Sequence, residues 1–459
     1  MRFSSIDPRT GKMGTTYKAT EEPEVRAAFL RARAGARQWS TLPREKRIDV
    51  LRDVEKEFLR RKDELARLAA SEVGFTEVDL GGETLSALAG VEHYSRRLLE
   101  LGERDFPLDQ SKWQDTSARV EFLPHGVVAH IGIWNYPVWQ TLVTAIPGLL
   151  AGNSFIFKPA EACTGTGLMI AEIMHDAGIP EDVYIPLVGG GEVGRQMVWG
   201  DSNCVAFTGG IETGIDILRN AGIKPLILEL SGNDPAIVCA DADLEQAARG
   251  LATGAFSRAG QICIRPKRIY LNKSIADAFL DRFLKVVRGM DTRGRLGPLI
   301  REEARQKVDA HVRNALRSGA ELLHGGKAMP GPGYYFEPTV LLMRRPNREI
   351  AAQEIFGPVC PIFLVDDDDD AIARANDSIY GLGATIWTQD MVRARHLTSQ
   401  LEAGCVWVNE WGRTLVAGEY FNGWRSSGIA TSSDRLMMFM KKRAVVEHHS
   451  RESRPSWLN

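Results

Sequence analysis

The sequence predicts an α/β protein of two doubly wound domains, and three observations carry that prediction. Short runs rich in Val, Ile and Phe alternate with helical stretches from residue 119 onward, the texture of parallel strands joined by crossover helices. A second alternation starts near Arg268 and runs to about Asn409, which sets a boundary between two α/β domains near Glu229. The length of 459 residues, 44% hydrophobic and 25% charged, allows sizeable cores that need no disulfide or metal staple.

Taken in order, the N-terminal region before residue 100 reads as helices. Pro43 suits a first helical turn, where its missing N–H costs nothing. Ile48, Leu51, Val54 and Phe58 then recur at helical spacing, and Leu65, Leu68 and Ala69 continue the pattern until Gly74 breaks it. Strands are expected at 127–133, 154–157, 183–188, 204–207, 225–230 and 236–239, with helices at 165–175 and 213–220 between them. Further helices are expected around 275–287 and 301–318. The acidic run 366–370 reads as a helix start, because carboxylates favour the positive end of the helix dipole.

Charge and composition exclude several classes of function. Lys plus Arg is 57 and Asp plus Glu is 59, so a net charge of −2 gives no bulk attraction to nucleic acid or to an anionic membrane. Gly, Pro or polar residues interrupt every apolar stretch well short of a membrane span. The N-terminus carries no export signal, which sets the expectation of a cytoplasmic protein with free thiols. The six cysteines, Cys163, Cys204, Cys239, Cys263, Cys360 and Cys405, form no CxxC, and the nine histidines form no HExxH, so no metal site is expected.

Four segments carry candidate chemistry. In Trp134-Asn135-Tyr136-Pro137, Pro137 biases Tyr136 away from helix, leaving Asn135 at the C-terminal end of a strand, where α/β proteins hold ligands. Its amide can donate to a developing oxyanion or, as a turn asparagine, bond its own backbone. Lys158-Pro159-Ala160-Glu161 follows a strand. The lysine and carboxylate suit ribose hydroxyls, or a plain surface ion pair. Phe207-Thr208-Gly209-Gly210 is a strand and glycine turn leading to a helix, a phosphate cradle or a simple turn. Glu229-Leu230 ends an apolar strand, and Gly260-Gln261-Ile262-Cys263 follows 30 residues later with a cysteine in a small polar setting. A carboxylate beside a cysteine can activate a water or the thiol, although each is compatible with an inert role.

These segments, with Glu354-Ile355-Phe356-Gly357-Pro358 and Val406-Trp407-Val408-Asn409, stand in the order found in the NAD(P)-dependent aldehyde dehydrogenase superfamily. The sequence resembles that family from Ile6 to about Gly428. The resemblance implies a dinucleotide-binding domain (1–106, 123–228 and 406–435), a catalytic domain (229–405) and a β oligomerisation arm (107–122 and 436–459) of a homodimer or homotetramer. It implies Cys263 as nucleophile, Glu229 as general base and Asn135 as oxyanion donor, helped by the Cys263 backbone N–H. Trp134, Lys158, Glu161, Gly209, Leu230, Glu354 and Phe356 match cofactor contacts. Tyr136, Trp139, Gln140 and Trp411 are expected to line the substrate pocket.

The implied reaction oxidises an aldehyde to a carboxylate through a cysteine thiohemiacetal and thioester, with hydride passing to the nicotinamide. Glu161 sets the expectation of NAD over NADP, since a carboxylate accepts from ribose hydroxyls and repels a 2′-phosphate. The sequence also departs from the family pattern. Gly210 replaces a usual Ser, Ser231 a usual Gly, and Arg258 a common Asn, and the loop from Glu410 to Phe421, with Trp411, Arg413 and Tyr420, follows it loosely. Arg258 and Arg413 suit either a carboxylate-bearing semialdehyde or structural ion pairs. A cysteine hydrolase without a redox step, and a silent cofactor-binding scaffold, are the competing classes.

Overall fold

A computed structural model describes the chain except residues 1, 103, 106, 109–112, 114, 346, 414–420, 430–433 and 450–459. Parts of the expected arm (109–112, 114 and 450–459), and Tyr420 in the loop, thus lie outside the described residues.

Largely apolar runs of three to five residues form the predicted strands. The first sheet has six strands in the spatial order Gly428–Ile429, Leu226–Glu229, Cys204–Thr208, Val127–Ile131, Ser154–Lys158, Tyr184–Pro186. Five of its strands join through four parallel pairings, and only the short Gly428–Ile429 strand is antiparallel. From Val127 onward the chain winds outward one way, then returns to the other side of Val127–Ile131. The order therefore reverses between Val127–Ile131 and Cys204–Thr208, and a doubly wound sheet binds ligands at the strand ends flanking such a reversal. Both faces are covered. Helices Arg44–Val73, Glu77–Glu100, Trp139–Leu150 and Thr164–Asp176 pack one face around Phe155, Phe157 and Leu142. Helices Glu22–Thr41, Gly191–Trp199 and Ile211–Asn220 pack the other around Ile156, Val205 and Leu228.

The second sheet has seven strands, ordered Glu321–His324, Thr339–Met343, Val359–Val365, Arg268–Asn272, Pro235–Val238, Gly383–Trp387, Cys405–Val408. All pairs but the first are parallel. Strand Cys405–Val408 pairs with Gly383–Trp387, so this sheet runs past the expected division at residue 406. The chain returns to the first sheet only at Gly428–Ile429, beside Glu229. The acidic run does begin a helix: Asp367 caps Asp368–Asn376 by accepting from the Asp370 N–H.

Two features differ from the sequence reading or extend it. The N-terminus begins not with helix but with a hairpin, Arg2–Asp7 against Lys12–Lys18. Its turn is Asp7-Pro8-Arg9-Thr10-Gly11, where Gly11 takes a left-handed φ of 71° and Asp7 accepts from the Arg9 N–H. A three-stranded antiparallel sheet joins Met440–His448, Thr116–Pro124 and Arg104–Asp105, with Met440–His448 paired over nine positions and forming one edge.

Candidate active site

Two clefts meet at Cys263. One cavity, about 260 Å³, is walled by Ile133, Tyr136, Trp139, Gln140, Glu229, Leu230, Arg258, Ile264, Leu382 and Phe421. The other, about 510 Å³, is walled by Trp134, Asn135, Gly209, Gly210, Leu230, Ser231, Glu354 and Phe356. Cys263, Ile133, Thr208 and Leu230 belong to both walls. A small reactant in the first cavity and a cofactor in the second would thus both border Cys263.

The loop carrying Cys263 is held in a costly backbone shape. Arg258, Ala259 and Gly260 all adopt left-handed φ, at 52°, 51° and 70°. Two of them are not glycine, and such strain persists only where surrounding contacts over-determine it. At Gly260 a side chain is impossible, because a Cβ would fall 2.1 Å from the Gly357 carbonyl oxygen. Gln261 ties the loop down by donating to the Arg258 and Pro298 carbonyls (3.1 and 3.0 Å) and accepting from the Ile300 N–H (2.9 Å). Buried Arg265 donates to the Gly260 carbonyl (2.7 Å) and to those of Ile355 and Gly357 (2.6 and 2.9 Å). The two motifs 260–263 and 354–358, far apart in sequence, are therefore one structural unit.

Burial pushes the Cys263 thiol up to about 12, with Asp234, Glu229 and Glu354 adding to the effect and Lys267 opposing it. Lys267 donates to the Cys263 carbonyl (2.5 Å) and lies 3.1 Å from Glu354 Oε1. Its ammonium is thus a cation that favours the thiolate form of Cys263. Since the thiolate is the reactive species, alkylation of Cys263 by iodoacetamide in the cofactor-free protein is expected to rise about tenfold per pH unit from pH 7 to 10, without a plateau. Peptide mapping by mass spectrometry measures it, and a plateau near pH 7 would contradict this electrostatic account.

Glu229 ends strand Leu226–Glu229, and its carboxylate is held at both oxygens. Oε2 accepts from Gln140 Nε2 (3.0 Å), and Oε1 is paired with the Arg435 guanidinium. Gln140 Nε2 also reaches Thr208 Oγ1 (2.5 Å). Asn135 is buried, and its amide donates to the Gln261 carbonyl (3.0 Å), which orients it beside the Cys263 loop. That partner is not its own backbone, which sets aside the local turn-asparagine alternative.

Arg258 resolves to an ion pair with Glu83. Its Nη1 donates to Glu83 Oε1 (2.5 Å) and to the Asn135 carbonyl (2.7 Å), with the guanidinium 4.0 Å over the Tyr136 ring. Glu83 also accepts from the Val138 and Trp139 N–H groups (3.1 and 3.0 Å), at the start of helix Trp139–Leu150. Arg413 pairs with Glu410 (2.7 Å). Tyr136, Trp139 and Gln140 line the small cavity as expected. Trp411 does not: it lines a separate surface cleft with Trp387 and Asn409 and packs over Gly254, while its neighbour Gly412, at a left-handed φ of 67°, reaches the cavity wall.

On the larger cleft, Phe356 meets Trp134 edge-on at 5.9 Å. Gly209 donates to the Glu229 carbonyl (3.0 Å), and Gly210 starts helix Ile211–Asn220 with open space where a side chain would be. A helix N-terminus and bare glycine backbone on a cleft wall fit a pyrophosphate. Buried Lys158 donates to the Pro159 and Gly189 carbonyls (2.8 and 3.0 Å), while the half-exposed Glu161 carboxylate lies 3.9 Å from its Nζ. Neither lines the cleft: Lys158 ends strand Ser154–Lys158, and Glu161 follows it three residues later. Glu83, Lys267 and Arg435 escaped the sequence reading. Each is an isolated charge in an ordinary helix or loop, and only the fold makes it a neighbour of the site. Among the described residues, no cluster of three or more His, Cys, Asp or Glu could hold a metal ion, and no helix is long and apolar enough to cross a membrane.

Known proteins agree with this geometry. The Aldehyde dehydrogenase family profile matches residues 1–445. A succinate semialdehyde dehydrogenase [NAD(P)+] of Escherichia coli K12 is 34% identical over 435 residues, 93% of each chain. A succinate-semialdehyde dehydrogenase [NADP(+)] of Deinococcus radiodurans is 32% identical, covering 96% of this chain and 94% of the relative. Among solved structures, lactaldehyde dehydrogenase from Escherichia coli superposes with a TM-score of 0.93 at 28% identity, over 98% of this chain and 96% of that one. NADP-dependent glyceraldehyde-3-phosphate dehydrogenase from Bacillus halodurans C-125 gives 0.93 at 31%, with the same coverage. Sequence, sheet order and the meeting of two clefts at one cysteine converge on one conclusion: the chain belongs to the aldehyde dehydrogenase family, NAD(P)-dependent oxidoreductases acting on the aldehyde group.

Proposed function

We propose that Cys263 is the nucleophile, Asn135 the oxyanion donor and Glu229 the general base of an enzyme that oxidises an uncharged aldehyde with NAD. The observation that carries this reading is the shared position of Cys263 on both cleft walls, with Glu229 on the substrate side and Asn135 on the cofactor side. The Cys263 thiol gives up its proton to solvent water as its sulfur adds to the aldehyde carbonyl, and the Asn135 amide with the Cys263 backbone N–H stabilises the resulting oxyanion. The larger cleft, walled by Trp134, Gly209, Gly210, Glu354 and Phe356, would hold the nicotinamide cofactor, which would supply the hydride acceptor for oxidation of the thiohemiacetal to a thioester. Glu229 then takes a proton from water, whose oxygen attacks the thioester carbon; the carboxylic acid leaves and the sulfur is regenerated. No histidine stands among the described residues of the substrate cavity; His311 lies on the wall of the larger cleft.

The character of the cavity wall supports an uncharged substrate. Most of the wall is apolar or aromatic, Asp79 adds a carboxylate, and Arg258 is already committed to Glu83 and to the Asn135 carbonyl. A substrate carboxylate would lose water without gaining a free cation from the described wall. The relatives named for succinate semialdehyde keep the anionic alternative in the test. A neutral aliphatic aldehyde is expected to exceed its ω-carboxylate counterpart of equal length at least about tenfold in kcat/KM, the equivalent of about 1.4 kcal/mol. The reverse order would establish a semialdehyde enzyme.

The choice of NAD rests on Glu161 and Lys158. Lys158 already spends two of its three donors on backbone carbonyls, leaving Glu161 to meet the ribose hydroxyls. A 2′-phosphate there would face a carboxylate, and after solvent screening a preference of about 1–3 kcal/mol follows, about 5- to 150-fold in kcat/KM. Measurement of both cofactors at one salt concentration decides it, with equality or an NADP preference against this assignment. For assembly, the place of strand Met440–His448 at the edge of the three-stranded sheet, among the described residues, supports a role for that sheet in self-association, as a homodimer or homotetramer. Six free cysteines suit a reducing cytoplasm.

A further inference from the structure

We propose that Arg435 is a positioning residue that fixes the Glu229 carboxylate for deacylation. This deepens the reading of Glu229 above and rests on it.

Arg435 opens the four-residue helix Arg435–Met438, just before the long strand of the three-stranded sheet. It is 1% exposed, and its guanidinium is ion-paired with Glu229 Oε1. Gln140 holds the other oxygen, Oε2, at 3.0 Å from a different helix. A carboxylate gripped at both oxygens from two elements has its plane and depth set, which a single donor cannot do. The grip is itself anchored. Asp434 accepts from the Met437 N–H (3.3 Å) to cap the short helix, and pairs with Arg97 of helix Glu77–Glu100 (2.8 Å).

The placement is costly, which makes a purely structural role a poor explanation. Desolvating two charges commonly offsets their attraction, so apolar packing at this site would serve stability as well. What the pair supplies instead is a fixed, charged carboxylate on the wall of a largely apolar cavity, where a lone one would be driven toward solvent. Arg435 itself is not on either cleft wall, so it acts on the reaction through Glu229.

The test compares Arg435→Met and Arg435→Lys, each alone and in a Glu229→Gln background, by stopped-flow NADH formation with active-site titration. Arg435→Met is expected to keep a first-turnover burst of about one NADH per active site, while steady turnover per titrated site falls about 10- to 100-fold. Arg435→Lys, which restores a cation, is expected to recover most of that loss. In the Glu229→Gln background, Arg435→Met is expected to add less than about threefold, since residues acting as one unit are not additive. Turnover of Arg435→Met within about threefold of wild type, or full additivity in the double variant, overturns the proposal. If Arg435→Met does not fold, Arg435→Gln carries the same comparison. Glu229→Gln alone reports separately on the base: wild-type turnover there sinks the Glu229 assignment, whatever the Arg435 variants do.

Discussion

Cys263→Ala is expected to abolish aldehyde-dependent NADH formation, by at least about 10⁴-fold, while leaving the fold and cofactor affinity unchanged. Among the described residues shared by both cleft walls, Cys263 alone carries a thiol, whose deprotonated sulfur forms a covalent bond to a carbonyl carbon. None of the other five cysteines, Cys163, Cys204, Cys239, Cys360 and Cys405, stands on either wall, so none can substitute. The alanine retains Cβ, and the loop's hold on its shape comes from Gln261 and Arg265 rather than from the thiol. Cofactor titration by fluorescence and thermal unfolding check that the loss is chemical. A variant with wild-type turnover would contradict the covalent mechanism.

Glu229→Gln is expected to separate the two halves of the reaction. Addition of the thiol and loss of hydride need the carbonyl polarised and the sulfur free, whereas hydrolysis of the thioester needs a base for water. A general base contributes about 10²–10⁴ in rate. The variant should therefore release about one NADH per site rapidly, then turn over at about 1% of the wild-type rate or less. Glutamine preserves shape and one acceptor oxygen, although its amide would face the donors of Gln140 and Arg435, so a thermal-stability control accompanies the kinetics. Loss of the burst itself would assign Glu229 to activating the thiol or ordering the site.

Much of this was legible in the sequence, for physical reasons that differ between elements. Strands such as 127–131 and 204–208 are buried on both faces, so they appear as unbroken apolar runs, and the glycines after Thr208 mark where a strand meets a helix at a cleft. Gly260 could be read because no other residue tolerates its contact with Gly357. Long-range polar pairing leaves no such trace. Glu83 and Arg258 lie 175 residues apart, and Arg435 and Glu229 lie 206 apart. Neither periodicity nor spacing encodes such a meeting. The N-terminal hairpin was missed because its strands are largely exposed and polar, with no apolar alternation to find. Trp411 was misassigned because a bulky aromatic beside a cavity loop resembles a lining residue until the turn at Gly412 is seen.

The central claim is that the aldehyde carbon becomes bonded to Cys263 and that Glu229 is needed to release it. Intact-mass and peptide-mass analysis of Glu229→Gln, acid-quenched just after its burst, tests this most directly. The account predicts one acyl group per chain, carried by the peptide containing Cys263 and absent when cofactor is omitted. An unmodified Cys263 peptide after a full burst of NADH, or an acyl group on another residue, would contradict it.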